Sequence, residues 1–100
     1  MDNDTVDVNK KDSVKDGPLH YAAFTNNSGV IQGLLTEKEI LVNSRNSREE
    51  SALHLASKYN SVEAVEKMVE HPDVDVNVKD TDSLTSLHYA TQENNIAVLQ

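Results

Sequence analysis

The sequence predicts an all-α fold, a solenoid of stacked helix–turn–helix units with short hairpin loops between them. Two observations carry this prediction. Leu-His-Tyr-Ala occurs at residues 19–22 and again at 87–90, with Leu-His-Leu-Ala at 53–56 between them, so that equivalent histidines are 34 residues apart. Apolar residues also recur at helical spacing around each histidine. A constant period of this size is typical of a repeat protein, in which each unit buries its apolar face against its neighbours.

Each unit contains two short apolar stripes. In the first unit Leu19, Ala22 and Ala23 are spaced i, i+3, i+4, which predicts one face of a helix of about eight residues. A second stripe follows after a polar turn, and its members in the first two units are Val30, Ile31, Leu34, Leu35, Ala64, Val65, Met68 and Val69. Helices this short are marginal in isolation, so the pairs must stack to be stable.

The start of each first helix and the turn after it carry suitable residues. Gly17, Ser51 and Thr85 precede the first helices, and Ser and Thr are good N-caps. An asparagine stands in every unit where the backbone must reverse between the two helices: Asn26, Asn60 and Asn94. Because asparagine tolerates the left-handed conformation better than other non-glycine residues, we assign these three a structural role.

The register of the units defines the domain. The units align without gaps and occupy about residues 8–41, 42–75 and 76–100, the last one incomplete. Residues 8–100 are therefore predicted to form one repeat domain. We expect a flexible N-terminal segment before it, residues 1–7.

Every unit opens with Val-Asn, followed by Asp or Asn three residues after that Asn, and then by the Leu-His helix. In these features the units resemble ankyrin repeats, whose pattern joins a VN-x-x-D-x-x-G hairpin to a TPLHxAA helix and a second apolar helix. The sequence departs from that pattern at the hairpin glycine, which is Lys15, Glu49 and Ser83 here. The resemblance implies a non-catalytic module that binds a partner protein through its hairpin tips and the concave face of its first helices.

The resemblance also implies which residues would touch a partner. Carried over by register, they are Ser13, Val14, Asp16, Phe24 and Thr25 in the first unit, Ser47, Arg48, Glu50, Lys58 and Tyr59 in the second, and Thr81, Asp82, Leu84, Gln92 and Glu93 in the third. Phe24, Tyr59 and Leu84 stand out among them, since aromatic anchors commonly dominate interface energetics. Alternatively, each covers the aliphatic edge of its own turn. We expect Glu50 at the solvated tip of its hairpin.

The regularly spaced histidines, His20, His54 and His88, do not suit a metal site. Zinc–nitrogen bonds are about 2.0–2.1 Å long, whereas equivalent residues on successive packed helices lie roughly 8–10 Å apart. We therefore expect each imidazole to bond backbone or hydroxyl groups near its own turn and so tie hairpin to helix, which is also what the resemblance implies. Neither a metal nor any other cofactor is expected.

Catalysis is not expected either. The chain has no cysteine, so disulfides, thiolate nucleophiles and Cys-ligated zinc are excluded. Ser51 and His54 are close in sequence, but nothing supplies the orienting group and the oxyanion donors that a nucleophile–base pair needs. The sequence contains no glycine-rich phosphate loop, and no small-molecule ligand is indicated.

Charge and composition restrict the partner and the location. The formal net charge is −8, from 17 acidic and 9 basic residues. This charge argues against nucleic acid and against an anionic membrane surface. It mildly favours a partner with a basic surface, although solubility alone explains it as well. Without a signal-peptide pattern or an apolar run near the roughly 18 residues of a membrane span, we expect no membrane insertion and a cytoplasmic location, with the nucleus as the alternative.

Two other functions stay open at this point. The chain could be a regulatory or tethering segment of a larger enzyme or ion channel, or an autonomous inhibitor that occludes the surface of a partner. Further repeats followed by a catalytic or membrane-spanning region would select the first of these. Inhibition of a partner by this chain alone would select the second.

Overall fold

The structure, a computed structural model, describes residues 7–92, with residues 90–92 described by their backbone alone. Over this range it contains five helices, namely α1 (Pro18–Phe24), α2 (Ser28–Leu35), α3 (Ala52–Lys58), α4 (Val62–Val69) and α5 (Ser86–Gln92). No strand is present among the described residues, and the predicted all-α stack of helix pairs is confirmed. Of the predicted N-terminal segment, residues 1–7, only Asp7 is described, and Glu93, Asn94 and the rest of the third unit lie outside the described residues.

The helices form two rows. The first helices pack in succession, α1 on α3 and α3 on α5, and the second helix α2 packs on α4. The molecule is accordingly elongated, 46 Å long and 25 by 22 Å across. The apolar core runs along the stack between the rows and consists of Leu19, Ala22, Ala23, Ile31, Val42, Ala52, Leu53, Leu55, Ala56, Ala64, Val65 and Met68. Each pair thus buries its apolar face against the next pair, as the repeat period requires.

The second helices bury only part of the predicted apolar stripe. Ile31 and Met68 are almost completely buried, with 0% and 1% of their surface exposed, whereas Val30 and Val69 are 45% and 50% exposed. The predicted stripe is therefore wrong at these two valines. Consecutive residues of a helix point about 100° apart, so Val30 next to the buried Ile31 and Val69 next to the buried Met68 lie at the edge of the covered face.

Both kinds of turn use a left-handed backbone at residues other than glycine. The inter-helix asparagines Asn26 and Asn60 have φ angles of 56° and 55°. The hairpin residues Lys15, Glu49 and Ser83 have φ angles of 66°, 62° and 63°. The hairpins therefore keep a left-handed turn at the positions where the resembled pattern has glycine. This conformation costs a non-glycine residue about 1–2 kcal/mol.

Each hairpin is held by the side chain at its first position. Asp12 Oδ1 accepts hydrogen bonds from the amides of Val14 (3.0 Å) and Asp16 (2.9 Å). Asn46 and Asp80 accept the equivalent pairs of bonds in the second and third hairpins. Side-chain acceptors of this kind stabilise tight turns, and this explains why Asp or Asn occurs here in all three units.

Candidate functional site

A groove of about 300 Å³ lies between the first two repeats. Its walls are the tips of the first two hairpins and the exposed faces of α1 and α3. Of the predicted partner-binding residues, those that line it are Val14, Asp16, Phe24, Ser47, Arg48, Glu50, Lys58 and Tyr59. Ser13 and Thr25 do not line it, and the Thr25 hydroxyl donates instead to the Tyr21 carbonyl at 2.9 Å. The structure thus gathers most of the candidates from two units into one concave site.

Aromatic side chains dominate the groove. The chain has one phenylalanine and three tyrosines, and Tyr21, Phe24 and Tyr59 all line the groove with 48–50% of their surface exposed. The rings of Phe24 and Tyr59 meet edge to face with centroids 4.6 Å apart, a favourable geometry for an aromatic pair. Val14, 51% exposed, adds a further apolar surface from the hairpin tip. Every exposed aromatic ring of the described residues therefore faces one place.

The position of Glu50 corrects the expectation that it is a solvated contact residue. It is only 4% exposed, and its Oε2 atom lies 3.7 Å from the Lys58 ammonium nitrogen. Lys58 in turn lies over the rings of Tyr59 and Tyr89, 5.9 and 5.6 Å from their centroids. A buried carboxylate needs a partner, so the hairpin folds Glu50 inward onto Lys58. Glu50 supports the groove from below instead of offering a contact.

Asn46 links the two repeats beneath the groove. Its Nδ2 atom donates to Asp16 Oδ1 at 2.9 Å and to Glu50 Oε1 at 3.0 Å. The first and third hairpins have aspartate at the equivalent position, so the amide is specific to the middle unit. An aspartate there could not donate to the two neighbouring carboxylates. This substitution within the repeat pattern is the sequence signal that could have identified Asn46.

Tyr21 and Leu55 also line the groove without having been predicted. They occupy equivalent positions in their units, as does Tyr89 in the third unit, because each directly follows the repeated histidine. Tyr21 is half exposed whereas Leu55 and Tyr89 are buried. The sequence period shows that these positions are equivalent, but it does not show which of them is exposed.

The first two histidines each connect their repeat to the next. His20 Nδ1 accepts a hydrogen bond from the Gly17 amide at 3.1 Å, while Nε2 donates to the Glu50 carbonyl at 2.8 Å, 30 residues further along the chain. Because an amide donates to Nδ1, the ring proton must reside on Nε2. The bond near its own turn is the one that the sequence predicts. The bond to the neighbouring hairpin is additional, and it fixes that hairpin against α1.

The second histidine repeats this arrangement. His54 Nδ1 accepts from the Ser51 amide at 3.0 Å, and Nε2 donates to the Leu84 carbonyl at 2.8 Å. His88 Nδ1 likewise accepts from the Thr85 amide at 3.0 Å. The hairpins are also joined directly, since the Ser47 amide donates to the Val14 carbonyl at 2.9 Å. The Ser47–Val14 and His20–Glu50 bonds hold the walls of the groove in fixed register, and the His54–Leu84 bond joins the second repeat to the third.

The inter-helix asparagines form the turns, and Asn26 also contacts the neighbouring unit. Asn26 reaches the next unit, where its Oδ1 accepts from the Ala64 amide at 3.1 Å and its Nδ2 donates to Glu63 Oε1 at 2.7 Å. The hydrogen bond from Asn26 lowers the pKa of the Glu63 carboxyl. Asn60 supplies the same left-handed turn between α3 and α4. Asn26 therefore combines a turn with a cap at the start of the neighbouring helix α4.

Two tyrosine hydroxyls donate to hairpin aspartates, Tyr21 to Asp12 and Tyr89 to Asp80. The Tyr21 bond holds the pKa of Asp12 below its usual range and raises that of Tyr21. Burial acts to raise the pKa of Asp80, but the hydrogen bonds from Tyr89 and from backbone amides outweigh burial and lower it. Burial and the bond to Asp80 raise the pKa of Tyr89. Both aspartates are therefore stabilised in the charged form.

The candidates of the third unit lie beyond the groove. Thr81 and Asp82 are exposed at the tip of the third hairpin. Leu84 is half-buried, and its carbonyl is the acceptor for His54. The side chain of Gln92 and the whole of Glu93 lie outside the described residues.

Two features are absent from residues 7–92. No group of three or more histidine, aspartate or glutamate side chains in this part of the chain is arranged to hold a metal ion. Within the same range no helix combines the length and the apolar character that crossing a bilayer requires.

Comparison with known proteins agrees with this architecture. A family model described as ankyrin repeats (3 copies) matches residues 19–100. Comparison with curated proteins finds no match. Ankyrin repeats are generally protein–protein interaction modules and are typically non-catalytic. With most of its length matched by that family model and its helix pairs stacked in register, the chain belongs to the ankyrin repeat family.

Proposed function

We propose that this chain is a non-catalytic module that binds a partner protein in the groove between its first two repeats. The observation that carries the proposal is the convergence of Tyr21, Phe24 and Tyr59, each about half exposed, in a single concave site. Aromatic side chains are enriched at the centres of protein interfaces, where they supply much of the binding energy. Phe24 and Tyr59 are the anchors in this proposal.

The rigidity of the groove supports the same function. Asn46 and Glu50 of the second hairpin are hydrogen-bonded to Asp16 and His20 of the first repeat, so the two walls of the groove are joined before any partner binds. A site that is already ordered loses less conformational entropy on binding. The exposed residues Thr81 and Asp82 of the third hairpin tip extend the proposed contact strip beyond the groove.

Charge is distributed unevenly over the molecule. The hairpin side, defined as residues 7–27, 42–61 and 76–92, carries seven acidic and seven basic residues. The second-helix side, defined as residues 28–41 and 62–75, carries seven acidic and two basic residues. Attraction of a basic partner surface, the prediction from net charge, would therefore act chiefly from the second-helix side, and the groove itself is not acidic.

Affinity capture with matched variants tests the proposal. The immobilised chain is compared with Phe24→Ala/Tyr59→Ala and with Val30→Ala/Val69→Ala, a control pair of similarly exposed apolar residues on the second-helix side. Partners identified by mass spectrometry should be lost from the first double variant and kept by the second. Circular dichroism checks that both variants fold. Equal recovery on the groove variant and the unchanged chain would contradict the proposal.

Two parts of the proposal concern the biological setting. We place the protein in the cytoplasm, which fluorescence microscopy of a tagged chain tests. The regulatory-segment and inhibitor alternatives use the same groove, so the capture experiment examines the surface that all three share. Assaying the captured partner with and without the chain then separates the inhibitor from the other two.

A further inference from the structure

We propose that the partner presents to this groove a short segment in which an apolar or aromatic side chain stands next to a carboxylate, and that the carboxylate pairs with Arg48. This inference rests on the proposed function and specifies the chemistry of the partner. It is drawn from the charged side chains that line the groove and from which of them are already engaged.

Three of the four charged residues lining the groove have partners within the protein. Asp16 accepts from Asn46 at 2.9 Å, and Glu50 is paired with Lys58 at 3.7 Å. Arg48 is exposed, and none of the residues from 7 to 92 accepts a hydrogen bond from its guanidinium or forms an ion pair with it. Within the described part of the chain, Arg48 is thus the one charged side chain lining the groove that has neither a hydrogen-bond partner nor an ion-pair partner.

The backbone of Arg48 is nevertheless fixed. Its amide donates to Asn46 Oδ1 at 2.9 Å, and its carbonyl accepts from the Thr81 amide at 3.1 Å. The guanidinium therefore extends from a rigid point at the rim of the aromatic surface. A guanidinium matches a carboxylate by two parallel hydrogen bonds, which makes a carboxylate its preferred partner among protein side chains.

A basic ligand residue fits this groove less well. Of the two carboxylates that line it, Asp16 accepts from Asn46, and Glu50 is buried beneath Lys58. An incoming lysine or arginine would approach Lys58 and Arg48, and among the described residues the one carboxylate without a cationic partner there is Asp16, which is half-buried and already accepts a hydrogen bond from Asn46. Like charges at an interface act against a partner, so the groove favours an acidic residue beside the apolar anchor.

The size of the groove favours a short segment. About 300 Å³ is at the lower end of the range of ligand pockets. This volume suits one or two side chains of a partner, placed against the Phe24–Tyr59 ring pair. The apolar side chain of the partner would enter the space between Val14 on one side and the rings of Phe24 and Tyr59 on the other. The carboxylate beside it in the partner's sequence would then pair with Arg48.

Selection from a phage-displayed library of random peptides tests the inference. Peptides are selected on the full chain, and their affinities are then measured for Arg48→Gln, Arg45→Gln and Phe24→Ala/Tyr59→Ala. Arg45 is a matched control because it lies on the same hairpin, outside the groove, and is paired with Glu49 at 3.2 Å. We expect peptides with Asp or Glu next to Phe, Tyr, Trp or Leu. Their binding should weaken about tenfold in Arg48→Gln, in line with a charge-assisted bond, and stay unchanged in Arg45→Gln.

The other outcomes separate this inference from the proposed function. Peptides that require Phe24 and Tyr59 but carry basic residues, or that bind Arg48→Gln as tightly as the unchanged chain, would overturn the inference and leave the groove as a binding site. Recovery only of peptides that bind Phe24→Ala/Tyr59→Ala without loss would overturn the proposed function itself.

Discussion

The hairpin side and the second-helix side of this molecule both contribute apolar residues to the core, but the histidine hydrogen bonds that cross the repeat boundaries lie on the hairpin side alone. On the hairpin side, side chains cross each repeat boundary to reach a backbone carbonyl, as His20 and His54 do. On the second-helix side, apolar residues such as Ile31 and Met68 fill the space between neighbouring pairs. Hydrogen bonds are directional whereas apolar contact is not. We therefore expect the hairpin side to keep a more fixed shape than the second-helix side, which should tolerate change.

His54→Ala is the largest predicted effect and tests the importance of the hairpin side. His54 is 1% exposed, and its removal leaves the Ser51 amide and the Leu84 carbonyl without that partner. We expect the free energy of unfolding to fall by about 3 kcal/mol, the cost of buried unsatisfied groups. Urea unfolding measures it. His71→Ala, in the loop after α4, should change stability by less than about 1 kcal/mol, and similar losses for both variants would remove the contrast between the two sides.

Tyr89→Phe should lower the free energy of unfolding by about 2 kcal/mol at neutral pH, because it removes a hydrogen bond to the charged Asp80 carboxylate. The pKa of Asp80 is lowered in the folded state, so its contribution to stability is present above the ordinary carboxyl value of 3.8 and is lost as the pH falls through the lowered folded pKa. The difference between the two proteins should therefore shrink in acid. Thermal unfolding as a function of pH measures it, with Tyr59→Phe as control. A difference that is constant with pH would show that the hydroxyl does not act through Asp80.

Replacing Gly29 or Gly33 of α2 by alanine tests whether the second-helix side tolerates change better than the hairpin side. Added Cβ atoms at Gly29 and Gly33 of α2 would meet no atom closer than 3.9 Å, and neither glycine has a positive φ. Each change to alanine should stabilise the protein by about 1 kcal/mol through helix propensity. The urea midpoint measures the gain. Loss of stability in either variant would mean that α2 is packed as tightly as the hairpin side.

Lys15→Gly is the smallest predicted effect. It relieves the left-handed backbone at φ 66°, but the added freedom of glycine in the unfolded chain offsets part of the gain, leaving about 0.5 kcal/mol of stabilisation. Ser13→Gly, in the same hairpin without a positive φ, should destabilise by a similar amount. If both variants lose stability, the hairpin is not strained at Lys15.

The period of 34 residues was sufficient to predict the helix pairs and their stacking, because equivalent residues in successive units occupy equivalent places. Together with the family resemblance, the register also assigned Phe24 and Tyr59 to the same exposed face, at adjacent positions of successive units, since Phe24 is equivalent to Lys58 and Tyr59 to Thr25. Burial of Glu50 could not be predicted in this way, since it depends on Lys58 and Asn46 meeting it in space. Periodicity compares equivalent positions and carries no information on contacts between non-equivalent side chains.

The hydrogen bonds from the histidines to the neighbouring repeat could not be predicted for a related reason. Each joins a ring to a carbonyl 30 residues away, and a carbonyl has no signature in the sequence. The exposure of Val30 and Val69 was missed because an apolar residue on the rim of a helix stripe looks the same in sequence as one at its centre. Only the packing of α2 and α4 in three dimensions shows which of these apolar residues are buried.

The most direct test of the central claim, that the hairpin side is the binding side, is NMR mapping of the backbone amides. The ¹⁵N-labelled chain is titrated with a peptide recovered by the selection. The largest shifts should fall on the first two hairpins, residues 12–16 and 46–50, and at the ends of α1 and α3, with α2 and α4 unaffected. Shifts concentrated on α2 and α4, with the hairpins unchanged, would contradict it.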